Sequence, residues 1–282
     1  MFLHAAVPLL GYSQSTSNFG LEVCGHPEWG GVRMQLPFID SSLALLIGFI
    51  SALLSSISGT GAALFATPLL LMVGFPLQAI LAFNQVSAAC WTLLAARNYT
   101  KDTSVDWGLI AAMAGMGLVG VFLGILLVRD MSTPALTRAI GGIIICVVLI
   151  AWLRTDLIVS TGIERISRGF IIAAGLPAGF YQAVFGAGNS MFTSMLFSFG
   201  RGIKLSRALG YSYFLAFPWC LASAVAFISL GWVEWNITIP GAVGAIPGAY
   251  LGSRVGRALG SNFIRRVFIV FGGCLGLKML LM

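Results

Sequence analysis

The chain has 282 residues, 58% of them hydrophobic and only 9% charged, with a formal net charge of +7 and a mean hydropathy of +0.95. A soluble domain carries roughly 25% charged residues, so this chain cannot clothe its own surface for water and belongs in lipid. The positive balance is accounted for by membrane topology and gives no reason to expect a nucleic-acid partner.

Residues 1–40 differ from the rest of the chain. They are mixed in composition and turn-rich between Ser13 and Asn18, with Pro8, Pro27 and Pro37. They lack the charged start and continuous apolar core of a secretory signal, and read as a poorly ordered external N-terminal extension. Met34 would also serve as a start. His4 and His26, the two histidines, lie here with Cys24. A pair of ligands at a chain end is too few for a metal centre, and no metal site is expected.

From residue 41 the sequence turns apolar. Segments 41–57, 62–74, 77–96, 107–128 and 135–153 form a first set, and 169–185, 190–200, 207–230, 236–253 and 263–281 a second. A crossing helix needs about 20 apolar residues, so 62–74 and 190–200 are too short to span comfortably. Each directly follows a glycine break, Gly59-Thr60-Gly61 in one case and Gly186-Ala187-Gly188 in the other. Stretches 41–74 and 169–200 therefore read as glycine-broken or re-entrant helix pairs, and the remaining segments as full spans. The expected fold is an all-α integral membrane protein with about eight to ten membrane segments.

The two sets are copies. Gly59 to Phe65 recurs 127 residues on as Gly186 to Phe192, and Gly48 falls on Gly175. With one residue inserted, Val105-Asp106-Trp107 falls on Val233-Glu234-Trp235, and Gly120 and Gly124 on Gly248 and Gly252. The chain thus divides into the extension 1–40, a first transmembrane repeat 41–153, a linker 154–168 and a second repeat 169–282. Each repeat is a broken helix pair plus three spans. That odd number makes the second copy enter from the opposite side, so the repeats are inverted.

Twelve of the 16 basic residues, from Arg97 and Lys101 to Arg265 and Arg266, fall in loops on one side of this scheme. Positive charge marks the cytoplasmic face, which makes 154–168 a cytoplasmic linker and puts both termini outside a multi-pass protein of the cytoplasmic membrane.

Chemistry inside the membrane would need a nucleophile with a base, paired carboxylates or metal ligands. No histidine, aspartate or glutamate lies within a predicted span. An intramembrane protease, a haem bundle and a carboxylate-based proton pump all lack their parts, so no enzyme, catalytic residue or cofactor is expected. Cys90, Cys146, Cys220 and Cys274 are scattered singly and read as buried small hydrophobes.

Backbone chemistry remains. A glycine break leaves the first N–H groups of the next helix unpaired, with a partial positive charge. Gly59, Thr60, Gly61 and Ala62 would present such donors from one half, and Gly186, Gly188, Asn189 and Ser190 from the other. Two such ends meeting near the midplane would make an anion site without a buried lysine or arginine. Ser87, Tyr181, Gln182 and Tyr213 are further polar residues inside apolar segments, where interhelical hydrogen bonding is the alternative role for each. The pairs Asn84-Gln85 and Tyr211-Ser212, which correspond between the copies, are the candidates for a second wall. Gly120, Gly124, Gly248 and Gly252 read as helix-packing positions.

Gly59-Thr60-Gly61, Pro68-Leu69-Leu70-Leu71, Gly74-Phe75-Pro76, Ala79 and Val105-Asp106-Trp107, together with the duplication, resemble the TauE/SafE, or sulfite exporter, family over roughly residues 41–281. The sequence departs from the family pattern at Ala62 and Asn189, where a third glycine is usual, and at Met195, which stands opposite Pro68. The resemblance implies a secondary transporter that exports a small anion, such as sulfite or an organosulfonate. A passive anion channel and a non-transporting membrane scaffold are the alternatives. The expected partners are the anionic substrate and membrane lipid; a homo-oligomer is left open.

Overall fold

The computed structural model describes residues 37–130 except 102, residues 164–259 except 187 and 188, and a few isolated positions beyond them. The N-terminal extension with His4, Cys24 and His26, the segment at 135–153, most of the linker and the last span lie outside the described residues.

Every described element is helical. Helix α1 (Pro37–Ser58) starts on a proline, whose missing N–H would have had no partner in a first turn, with Asp40 in that turn. Helix α2 (Ala63–Val73) has only 11 residues and rises about 16 Å, half the bilayer core. Gly74 stops it with φ +90°, and its N–H and that of Phe75 return to Leu71 and Leu70. Pro76 then leads into α3 (Leu77–Thr100). Asp106 caps α4 (Trp107–Asp130), its carboxylate accepting from Leu109 N–H at 3.0 Å.

The second half repeats this order. Helices α5 (Arg168–Ala173) and α6 (Gly175–Phe185) are separated only by Ala174, in helical conformation, and stand where α1 stands in the first half. Helix α7 (Asn189–Arg201) is the counterpart of α2, α8 (Leu205–Ser229) of α3, and α9 (Trp235–Leu259) of α4. Among the described residues, α1, α3, α4 and α8 are long and apolar enough to cross a bilayer. Helix α9 has 25 residues, but Gly241, Gly244, Gly248, Gly252 and Gly256 dilute its hydropathy.

Those glycines place the helices. On α9, a Cβ at Gly244, Gly248 or Gly252 would run into the carbonyl oxygens of Leu45, Phe49 and Leu53 on α1. On the other side, a Cβ at Gly120 would meet the Leu176 carbonyl, and one at Gly124 the Phe180 carbonyl at 2.8 Å, both on α6. Each half's last described helix therefore lies backbone to backbone on the other half's first, and the four glycines expected to pack do so. Helices α3 and α8 pack on each other between these pairs. The outer faces stay apolar, with Phe122 63% and Val225 60% exposed, as lipid contact requires.

Both broken pairs return to where they began. The N–H groups of Arg165 and Ile166, just before α5, both donate to the Gly200 carbonyl at the end of α7. Ala44 near the start of α1 clusters with Leu70 and Phe75 at the end of α2. One end of the bundle gathers the basic residues: Arg257 reaches the Asn98 carbonyl, Arg207 reaches Ser104, Arg168 pairs with Asp106 and Arg201 with Glu164.

Candidate functional site

The two glycine breaks meet inside the bundle. Helix α1 ends at Gly59, whose φ of +72° strains any side chain and whose N–H returns to the Ser55 carbonyl at 2.7 Å. The chain turns through Thr60, fully buried and sharing a 2.7 Å hydrogen bond with Ser58, and through Gly61, also at positive φ. Helix α2 then begins with no side-chain cap. Its Leu64 and Phe65 N–H groups turn back to the Gly61 and Ala62 carbonyls. The N–H groups of Gly61, Ala62 and Ala63 have no backbone partner among the described residues, and all three residues are buried.

Helix α6 ends in the same way, at Gly186 with φ +62° and its N–H on the Gln182 carbonyl. A Cβ at Gly186 would stand 3.5 Å from both the Ala63 Cβ and Gln85 Nε2, so the second break lies against the first turn of α2. The carbonyls that receive the two glycine N–H groups belong to corresponding residues, Ser55 and Gln182. Each takes a second donor from the central helix of the other half: Tyr213 Oη donates to Ser55 at 2.8 Å, and Gln85 Nε2 to Gln182 at 2.9 Å.

A line of amides extends from this junction. Gln182 Nε2 donates to Gln85 Oε1 at 3.2 Å and to Cys220 Sγ at 3.1 Å, while Asn189 Nδ2 donates to Gln182 Oε1 at 3.0 Å. Next to Gln85 on α3, Asn84 Nδ2 donates to Thr67 Oγ1 of α2 at 2.9 Å. Five helices, α2, α3, α6, α7 and α8, thus converge through neutral polar side chains. The carboxamide oxygens of Asn84 and Asn189 are left over, unpartnered in residues only 5% and 2% exposed. Each Nδ2 has donated only one of its two hydrogens, so each side chain also keeps a donor for a ligand.

Of the residues singled out in the sequence, Gly59, Thr60, Gly61, Ala62, Asn84, Gln85, Gly186 and Asn189 come together here. Gly188 lies outside the described residues. Ser190 is buried on α7, where its carbonyl accepts from Thr193. Tyr211 and Ser212 are not drawn into the line of amides. Ser212 Oγ bonds back to the Ala208 carbonyl, and the Tyr211 hydroxyl accepts from the Asp106 N–H at the basic end of the bundle. Gln182 stood out in the sequence only as one polar residue in an apolar segment. Thr67 gave no distinct signal, because a lone hydroxyl in a membrane helix ordinarily serves packing, and Cys220, which lies in the segment corresponding to that of Cys90, reads first as a buried small hydrophobe.

A family model described as "Sulfite exporter TauE/SafE" matches residues 44–279. A "Probable membrane transporter protein" of Haemophilus influenzae is 26% identical over 242 residues, covering 84% of this chain and 94% of the relative. The "Probable membrane transporter protein YdhB" of Bacillus subtilis is 19% identical over 245 residues, covering 84% of this chain and 99% of the relative. No solved structure matches the chain.

Proposed function

Because the chain belongs to the TauE/SafE sulfite exporter family, and is thus a multi-pass membrane transporter and no enzyme, we propose that it is a secondary transporter that exports a small anion across the cytoplasmic membrane. The anion class is sulfite or an organosulfonate. It sits at the junction of the two breaks, held by backbone N–H groups of Gly61, Ala62 and Ala63 and by the remaining Nδ2 hydrogens of Asn84 and Asn189.

The observation that supports this best is the set of three N–H groups at the start of α2, buried and without backbone partners among the described residues. Leaving a buried N–H unpaired costs about 1–3 kcal/mol, and a helix N-terminus favours an anion there. A small oxyanion satisfies several such donors at once without a buried cation. The matched contacts of the two halves support alternating access: each half's central helix grips the last turn before the other half's break, so rocking one half against the other opens the junction to either side. The basic end of the bundle supports a cytoplasmic placement for it, and hence external termini.

Purified protein in vesicles loaded with sulfite, sulfoacetate or thiosulfate tests the reading. Saturable, gradient-coupled efflux of one of them is expected, with Gly61→Val abolishing it. Flux that rises in proportion to voltage as an ohmic current would replace the transporter with a channel, and no flux of any of the three would reject this anion class.

A further inference from the structure

A cavity lies away from the glycine breaks, at the basic end of the bundle between α3, α4 and α8, with a volume of about 860 Å³. Its walls divide by depth. Arg97, Lys101, Thr103 and Ser104 line the end where α3 passes into the loop before α4, while Leu93, Ile110, Phe214 and Phe217 line the part towards the bilayer interior. Along α3, Lys101 and Leu93 are about 12 Å apart at the rise of a helix, so the apolar part extends well away from the cations.

Among the described residues the charge at the mouth is unpaired. Arg97 and Lys101 are exposed, and neither forms an ion pair among the described residues. The described carboxylate nearest in sequence, Asp106, is engaged by Arg168 at 3.2 Å and by the Leu109 N–H; Asp102 lies outside the described residues. Arg207, also nearby, is turned to Ser104 and stacked on the Tyr211 ring. Trp107 stands at the rim, 58% exposed, its ring edge-on to Phe214 at 4.8 Å. A tryptophan at that level marks the headgroup region of the bilayer.

We propose that this cavity is a binding site for an anionic phospholipid, with the phosphate on Arg97 and Lys101 and an acyl chain against Leu93, Ile110 and Phe217. A hydrated inorganic anion would gain nothing from the apolar depth and would lose water to enter it. An anionic amphiphile matches both zones, and basic pockets between helices on the cytoplasmic side are where such headgroups collect. The proposal is independent of what is transported, since it uses no residue of the glycine breaks.

The test is native mass spectrometry of the full chain released from membranes of equal phosphatidylglycerol and phosphatidylcholine. Preferential retention of phosphatidylglycerol is expected. The double variant Arg97→Gln/Lys101→Gln should lose that preference by about fivefold per charge removed. Lys204→Gln/Arg254→Gln, which removes two charges at the same end but outside the cavity, should keep it. Phe217→Trp, which fills the apolar part and leaves both cations in place, should also weaken retention. Equal loss in both charge variants would reduce the effect to general surface attraction and overturn the proposal. So would retention in the first variant, or displacement of the lipid by inorganic phosphate, which would make the cavity a site for free anions. An unchanged melting temperature across the variants confirms that folding is not what is being read.

Discussion

Asn189 uses one of its two Nδ2 hydrogens inside the protein, on Gln182 Oε1 at 3.0 Å, and keeps the second. Asn189→Ala should therefore weaken substrate binding by about 1–2 kcal/mol, the scale of a hydrogen bond to a charged group, measured by titration of the transported anion. Unchanged affinity would move the anion away from this amide. A second prediction separates strain from crowding. Gly59 and Gly231 share φ +72°, but a Cβ at Gly59 would strike Leu209, whereas one at Gly231 meets nothing within 4 Å. Both alanine variants carry the left-handed penalty of about 1–2 kcal/mol, and Gly59→Ala should lose clearly more in thermal unfolding. Measured against a Leu209→Ala parent, the Gly59→Ala penalty should fall to that of Gly231→Ala. The grouping of Asn84, Gln85 and Asn189 was readable from polar residues in apolar segments. That Gln182 links them, while Ser212 turns back to its own helix, was not, because sequence places a residue on a helix and leaves its hydrogen-bond partner open.

Among elements, glycine decides which helices touch. Gly179 on α6 and Gly117 on α4 face each other so closely that a Cβ at Gly179 would overlap the Gly117 carbonyl, and Gly48 on α1 stands in the same relation to Gly241 on α9. Backbone cannot yield as a side-chain tip does, so Gly179→Ala and Gly48→Ala should each lower the melting temperature sharply in detergent. Gly115, in the same helix as Gly117, has nothing within 4 Å of its Cβ position. There Ala replaces Gly for helix propensity alone and should stabilise by roughly 0.5–1 kcal/mol. Equal responses at Gly115 and Gly179 would contradict the packing. The breaks themselves were plain in the sequence, since a Gly-x-Gly ahead of a short apolar segment leaves few other readings. Which helix of one half the glycines of the other would serve was not plain, for a stripe of small residues marks a close approach without naming the neighbour.

At the scale of the whole molecule, the two broken pairs tie each half into the other, and the basic residues collect at the end where α3 stops and α8 starts. Arg207, Arg168, Arg201 and Arg257 reach there from four different segments, each with a partner of its own. With those partners at one end of the bundle, moving any of the segments to the other side of the bilayer would break its contact. The prediction is that Thr103 and Gly202, both in that end, share one side, and that it is the cytoplasmic one. In a cysteine-free background, Thr103→Cys and Gly202→Cys should react with a membrane-impermeant thiol reagent only in inside-out vesicles, and a cysteine at Gly231, beyond the far end of α8, only from outside. If Thr103 and Gly202 label from opposite faces, the return of the broken pairs is wrong. If both label from outside, the fold stands and the whole molecule is the other way up, which would turn the Arg97 and Lys101 cavity towards the outer leaflet.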